Sequence, residues 1–404
     1  MQGFQKYLIE DKNTHLEHLE DEIINNGSKG AKTSIEFLKS IKKMLQGGKG
    51  GSNVSVKWDG APAVFAGTNP ENGRFFVGTK SIFNATPKIN YTVSDISRNH
   101  GGALADKLAV ALKHLPSLGI KGVLQGDLLF TDDKKNAVVG GEKSIIFTPN
   151  TITYAVPATS VDMYNRIRTA KIGIIFHTSY SGKTMKRLKA SFGASVGGLK
   201  SNKNIFFDDA RYKQAQDPGF TKGEEKQFDA ILRMAEGSAY KAGAFIDKIK
   251  KDKGPLSLGV QLKTFFNTYI RAGTKIGNAK ALTNNFEVFF RSRIQKEIKD
   301  KKTDKAKQKY TEILEAGMKI LRPNRQGLYF AIATYITLQR AKSLLLSKLN
   351  QIQSIGSFMR TSTGYKATNP EGYVAINKGN AVKLVDRLVF SRANFNVAKD
   401  WVRG

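Results

Sequence analysis

Lys57 ends an alternating run, Val54-Ser55-Val56-Lys57-Trp58-Asp59-Gly60, that reads as a strand followed by an Asp-Gly turn. An amine placed at a strand end can act as a nucleophile once it loses its proton. At an ordinary value of about 10.4, well under ~1% of a lysine is in that form at neutral pH. A reactive lysine therefore needs nearby positive charge, a metal or desolvation to bring that value down. The plain alternative is a strand end with a solvated lysine, because so short a motif recurs by chance. Four further segments follow in order: Gly126-Asp127-Leu128-Leu129-Phe130, Ile172-Gly173-Ile174-Ile175-Phe176-His177, Pro370-Glu371-Gly372-Tyr373-Val374 and Val382-Lys383-Leu384-Val385. Each sets a charged or aromatic residue in or beside an apolar strand.

This order resembles the covalent nucleotidyltransferase superfamily, which comprises ATP-dependent DNA ligases, RNA ligases and messenger RNA capping enzymes. The resemblance spans residues 56 to 385 but leaves out the N-terminal helices and a long helical stretch. It implies that Lys57 attacks the α-phosphate of ATP, forms lysyl-AMP and expels pyrophosphate. Lys383 would hold the α-phosphate and, with Mg²⁺, help lower the Lys57 value. Asp127 and Glu371 would serve Mg²⁺, with Asp127 standing where many relatives carry Glu. Asp59, with Gly60 beside it in the nucleotide-binding loop, would contact ribose or orient the lysine loop. Phe176 would stack on adenine. Lys80, in Gly78-Thr79-Lys80-Ser81, stands where relatives place a basic residue near ribose or a nucleic-acid phosphate.

Three positions depart from the family pattern. Pro62 stands where DNA ligases often have arginine. Ile376-Asn377 precede Lys378 where a basic residue often ends the Glu-Gly motif. Lys383 lacks the usual second lysine. These departures bear on nucleic-acid contacts more than on adenylation. Only 21 residues follow Lys383, too few for the oligonucleotide-binding (OB) barrel of DNA ligases.

The 404 residues hold 65 Lys and Arg against 34 Asp and Glu, a formal charge of +31. Such an excess points to a polyanionic partner, because each phosphate neutralised releases a counterion. An anionic membrane surface is the competing partner. Hydrophobic content of 40% excludes a disordered polycation. The absence of cysteine excludes a disulfide scaffold, a zinc ribbon and a thiol nucleophile, and fits a reducing cytoplasm. No signal peptide is visible, and the longest apolar run, Leu328 to Leu338, is too short to span a bilayer. Ser181-Gly182-Lys183-Thr184 ends like a phosphate-binding loop, but His177 occupies the position where that loop needs its first glycine. His15 and His18 share a helix face without an evident third zinc ligand.

Periodicity divides the chain into four parts. Residues 1–50 read as two helices, the second capped by Ser34. Residues 51–215 read as the first part of an α+β nucleotidyltransferase (ATP-grasp-like ligase adenylation) core with largely antiparallel sheets. They carry a hairpin loop at 69–73, a helix at 102–115 and apolar strands at 122–130 and 171–177. Residues 216–355 read as an inserted all-helical domain with helices over 223–235, 239–251, 258–272, 284–300, 304–320 and 326–350. Its segment Lys296 to Lys309 holds seven lysines, the candidate nucleic-acid clamp in the absence of a C-terminal OB barrel. Residues 356–404 return to strands and complete the core.

The expectation is an ATP-dependent polynucleotide ligase using ATP and Mg²⁺, with DNA slightly favoured because Leu124-Gln125-Gly126-Asp127-Leu128 resembles a DNA-ligase segment. The alternatives are an RNA ligase, a capping-type guanylyltransferase and a non-catalytic nucleic-acid-binding protein. A monomer is the default expectation. Compact size with a helical insert is similar to phage-encoded ligases, which would place the protein in the host cytoplasm.

Overall fold

The computed structural model describes residues 16–47, 52–211, 219–251, 254–350, 356–361, 364–367, 371–377 and 380–391. Helix α1 (Glu22–Leu45) is kinked at Gly27, whose φ of 64° is open to glycine. Strands β1 (Ser52–Lys57), β2 (Ala63–Thr68) and β3 (Phe75–Gly78) follow, then short helices α2 (Val93–Asn99) and α3 (Gly102–His114). Next come β4 (Val123–Phe130), β5 (Lys135–Val139), β6 (Glu142–Phe147), β7 (Ile152–Pro157), helix α4 (Val161–Thr169), β8 (Ile172–Ser181), β9 (Lys189–Phe192) and β10 (Ile205–Asp209).

The helical stretch comprises α5 (Lys222–Ile249), α6 (Leu258–Ala272), α7 (Ala279–Asp300), α8 (Asp304–Leu321) and α9 (Arg325–Leu349). Four of these begin at a side chain that accepts from a backbone N–H of the first turn: Thr221, Ser257, Asn278 and Thr303. Each such cap contributes about 1 kcal/mol. The chain then returns to strands β11 (Gly356–Thr361), β12 (Gly364–Ala367), β13 (Gly372–Asn377) and β14 (Asn380–Val385).

The strands form three open sheets, β1-β13-β14, β10-β8-β4-β2-β3 with β9 also on β8, and β12-β11-β7-β6-β5. All pairs are antiparallel except β10 with β8. The mixed α and β character and the predominance of antiparallel pairing agree with the sequence. The third sheet was not legible there, because β5 carries Lys135 and Asn136 on exposed positions and blurs the apolar signal.

One face of the three-stranded sheet is covered by helices. Val54, Tyr373, Ala375, Val382 and Leu384 pack against Leu38 and Leu45 of α1, Phe228 of α5 and Leu345 of α9. Helix α1 also joins a second core with Phe245, Phe266 and Tyr335. A division at residue 50 therefore separates residues that share one core, and α1 belongs with α5–α9. Ser34 does not cap a helix. It is buried inside α1, and its Oγ donates to the Leu19 carbonyl at 2.7 Å. The expected break near residue 237 is likewise absent, since α5 runs through Gly237, where an added Cβ would meet open space.

The largest sheet packs its two faces differently. Val64, Leu128, Ile174 and Phe176 meet Ile96, Leu108 and Leu115 of α2, α3 and the turn that follows. Phe130, Ile175 and Phe206 meet Phe147, Tyr154 and Val156 of the third sheet. Among the described residues, no helix is long and apolar enough to cross a membrane.

Candidate nucleotide site

Strand alternation delivers side chains to a cavity of about 310 Å³ between the three-stranded and six-stranded sheets. Val54 on β1, Tyr373 and Ala375 on β13, and Val382 and Leu384 on β14 point to the helices, so their neighbours point the other way. Ser55, Lys57, Val374, Ile376 and Lys383 accordingly line the cavity. On β4, Leu124 and Leu128 face the α2–α3 core while Gln125 and Asp127 line the cavity. Lys80 reaches it from the 3₁₀ turn after β3. Four of the residues singled out in the sequence thus meet here: Lys57, Lys80, Asp127 and Lys383.

Glu371 is brought in by register. Lys57 pairs with Gly372 across the β1–β13 ladder, and Lys57 Nζ donates to Glu371 Oε2. Lys57 keeps 26% of its side-chain surface and Glu371 9%. Burial alone would push the Lys57 ammonium down. The Glu371 and Asp127 carboxylates outweigh it, Asp59 adds to them, and Lys57 stands above the ordinary lysine value. This corrects the expected depression: without nucleotide, the carboxylates rather than Lys383 set the charge state of Lys57. Burial pushes Glu371 upward, only partly offset by Lys57. Lys383 is the lysine held low, by burial and then by the Lys57 charge.

Asp59 does not face the cavity. Its buried carboxylate accepts from Asn150 Nδ2 at 2.7 Å, Thr151 N and Oγ1 at 2.6 Å each, and Ile152 N at 2.7 Å. Its own N–H donates to the Tyr154 hydroxyl at 2.8 Å. Of the two roles open to Asp59, these contacts suit orientation of the lysine loop. Gly60 serves the same loop by close approach, since a Cβ there would lie 2.5 Å from Asp127 Cβ and 3.0 Å from the Leu128 carbonyl oxygen.

Phe176 is fully buried in the core with Ile172 and Ile174, so its ring cannot stack on a ligand in the cavity. The next residue, His177, lines the cavity instead. In a strand a one-residue offset reverses the face. Tyr180 and Phe192 supply the other rings of the lining. Tyr180 donates to Gln125 Oε1 at 2.8 Å, and burial pushes its hydroxyl up to about 12. His177 Nε2 stands 3.7 Å from Asp127 Oδ1, and its Nδ1 is 2.8 Å from Thr178 Oγ1. A register shift between Gln125 and Gly126 lets both His177 and Thr178 reach the lining. Following β4 alternation across to β8 is the sequence signal that would have found His177.

The N-terminal segment closes one side. Leu16 lines the cavity, and the Lys383 N–H donates to the Glu17 carbonyl at 2.8 Å. Behind it lies a buried ionic network. Lys342 Nζ donates to both Glu20 oxygens at 2.7 Å, and Arg387 pairs with Asp21 at 3.0 Å. His18 sits beside these groups, and burial with the Arg387 and Lys342 charges holds it well below the ordinary histidine value. His15, Pro370 and Lys378 lie outside the described residues.

A Mg²⁺ ion takes only one or two protein carboxylates, with phosphate oxygens and waters completing its shell. Asp127, 22% exposed on the cavity, can supply one such carboxylate, whereas Glu371 is engaged by Lys57 and is not among the lining residues. Among the described residues no group of three His, Asp or Glu could hold a metal on its own. The donors fit an ion that arrives with a phosphate ligand.

A family model for DUF6267, described as a family of unknown function, matches residues 13–399. The chain belongs to the DUF6267 family. No curated protein and no solved structure matches it. The matched range of this DUF6267 chain takes in the N-terminal segment, both sides of the cavity and all five helices α5–α9.

Proposed function

We propose that this protein is an ATP-dependent polynucleotide ligase that works through a lysyl-AMP intermediate on Lys57. The observation that carries the reading is the convergence of Lys57, Lys80, Asp127 and Lys383 on one cavity, with Glu371 bonded to Lys57. In the first step Lys57 Nζ forms a bond to the α-phosphorus of ATP, the bond to the bridging oxygen breaks, and pyrophosphate leaves. Lys57, an ammonium at rest, passes one proton to Glu371 Oε2, its hydrogen-bond partner, before attack, and the second proton lost on forming the phosphoramidate leaves with pyrophosphate. Lys383 offsets charge that develops on the α-phosphate. Asp127 would hold Mg²⁺, which would supply positive charge against the triphosphate. AMP then passes to a 5′-phosphate, regenerating the amine, and a 3′-hydroxyl displaces AMP to seal the strand.

DNA is the favoured substrate, from the resemblance of Leu124–Leu128 to the DNA-ligase segment. RNA end joining is the second reading, favoured by Pro62 in place of the arginine of DNA ligases. The test is incubation with α-labelled ATP or GTP and Mg²⁺, followed by nicked DNA or RNA. Wild type is expected to take label from ATP, and Lys57→Ala to take none. Equal labelling of the two would sink the enzyme reading, and labelling by GTP alone would point to capping chemistry.

A further inference from the structure

A second cavity, of about 580 Å³, lies where the helices meet the turn after β14. Among the described residues, Lys275, Arg340, Lys342 and Arg387 line it, against one carboxylate, that of Asp386. Lys342 and Arg387 are already matched by Glu20 and Asp21 behind the wall. Lys275, from the loop after α6, and Arg340, on α9, are exposed. Asp386 Oδ1 is engaged by the Leu388 N–H at 3.0 Å.

Arg387 supplies the second observation. It is 6% exposed, and three of its donor contacts go to Asp21, Tyr335 and Asn267. Its buried Nε has no hydrogen-bond partner among the described residues. A buried charged donor without an acceptor is costly. The Nε atom is closed to solvent, so it adds an unpaired donor to the positive field of the cavity wall rather than a direct contact for a ligand.

We propose that this cavity binds a phosphoryl anion. Lys275 and Arg340 reach it from a loop and a helix, with the Lys342 and Arg387 charges in the wall behind them, which suits a phosphoryl group with several acceptor oxygens. The source is either a nucleic-acid backbone or a free small phosphate. The nucleic-acid source rests on the ligase reading; the phosphoryl chemistry of the cavity does not. Strand β14 connects the two sites, with Lys383 in the first and Val385 in the second. A strand backbone held at the second cavity would be anchored within a few residues of Lys383.

The experiment uses the full chain and the double variant Lys275→Gln with Arg340→Gln, both exposed and outside the core. A control, Lys113→Gln with Lys143→Gln, removes the same charge elsewhere. Binding of a 5′-phosphorylated oligonucleotide is read by anisotropy against salt, and binding of inorganic phosphate and pyrophosphate by calorimetry. The expected result is about tenfold weaker oligonucleotide binding in the double variant, a salt slope shallower by up to about 2, and little change in the control. Loss of phosphate or pyrophosphate binding with oligonucleotide affinity unchanged would assign the site to a small anion. The proposal is overturned if variant and control behave alike with every probe. Self-labelling of Lys57, measured in parallel, reports on the ligase reading separately.

Discussion

Lys57 and Glu371 hydrogen-bond across the β1–β13 ladder although 314 positions separate them in the chain. The pair makes the amine a held ammonium until something else claims the carboxylate. Removing that carboxylate removes the largest upward pull on Lys57, while burial, which pulls down, remains. In Glu371→Gln the proton therefore leaves Lys57 at lower pH. Modification of Lys57 by an amine-reactive reagent, followed against pH without nucleotide or Mg²⁺, should show its midpoint move to the acid side. A midpoint that stays or rises would refute this assignment of the shift.

Gly60→Ala places a methyl group 2.5 Å from Asp127 Cβ. Neither the β4 backbone nor the Asp59 anchor yields easily, so the lysine loop must move. Overpacking of this kind costs about 1–3 kcal/mol. Self-labelling should fall by more than stability alone explains, as seen by comparing rate with denaturant midpoint.

Phe176 and Phe192 should separate stability from ligand binding. Phe176→Ala empties a core position and should cost about 3–5 kcal/mol in denaturant unfolding. Phe192→Ala, at the cavity wall, should leave stability nearly unchanged and raise the KM for ATP severalfold. The reverse pattern would return the stacking role to Phe176.

Lys342→Met leaves Glu20 charged, fully buried and without its main partner. Breaking such a pair from one side costs about 3–5 kcal/mol, whereas Lys342→Met combined with Glu20→Gln should recover most of that loss. Burial raises Glu20, but Lys342 and Arg387 together hold it below the ordinary glutamate value. Its contribution is therefore present above the ordinary glutamate range and is lost as pH falls through the lower folded-state value. Acid unfolding of the double variant should lack this component.

The lysine-rich segment forms the end of α7, the turn and the start of α8. Lys301 pairs with Glu297 and Lys307 with Asp304, while Lys296, Lys299, Lys302, Lys305 and Lys309 are exposed. Replacing these five with glutamine should flatten the salt dependence of nucleic-acid affinity and spare self-labelling. An unchanged slope would assign the segment to solubility alone.

Several of these contacts follow from features a linear reading can see. The 3.6-residue period located α6 to α9 to within a few residues, and turn residues bounded β4, β13 and β14. Alternation on β1 and β14 marks the apolar face of each strand, but only their shared pairing with β13 puts Lys57 and Lys383 on one side. Phe176 was misplaced because an aromatic in an all-apolar strand carries no sign of which face is the core. Glu20 and Asp21 resemble solvated helix residues until Lys342 and Arg387, more than 300 positions away, arrive to pair with them. Such long-range charge matching leaves no local periodicity.

The β1–β13 ladder also has a consequence in time. Ribosomes release chain at about 5–20 residues per second, so roughly 15 to 60 s separate the emergence of Lys57 from that of Glu371. Throughout that interval β1 has no ladder partner, and the amine has neither its carboxylate nor Lys383. A fragment ending before residue 371 would carry Lys57 without Glu371 or Lys383. Under the proposed chemistry, the ability to self-label would be a signature of a chain whose synthesis has passed its last strands.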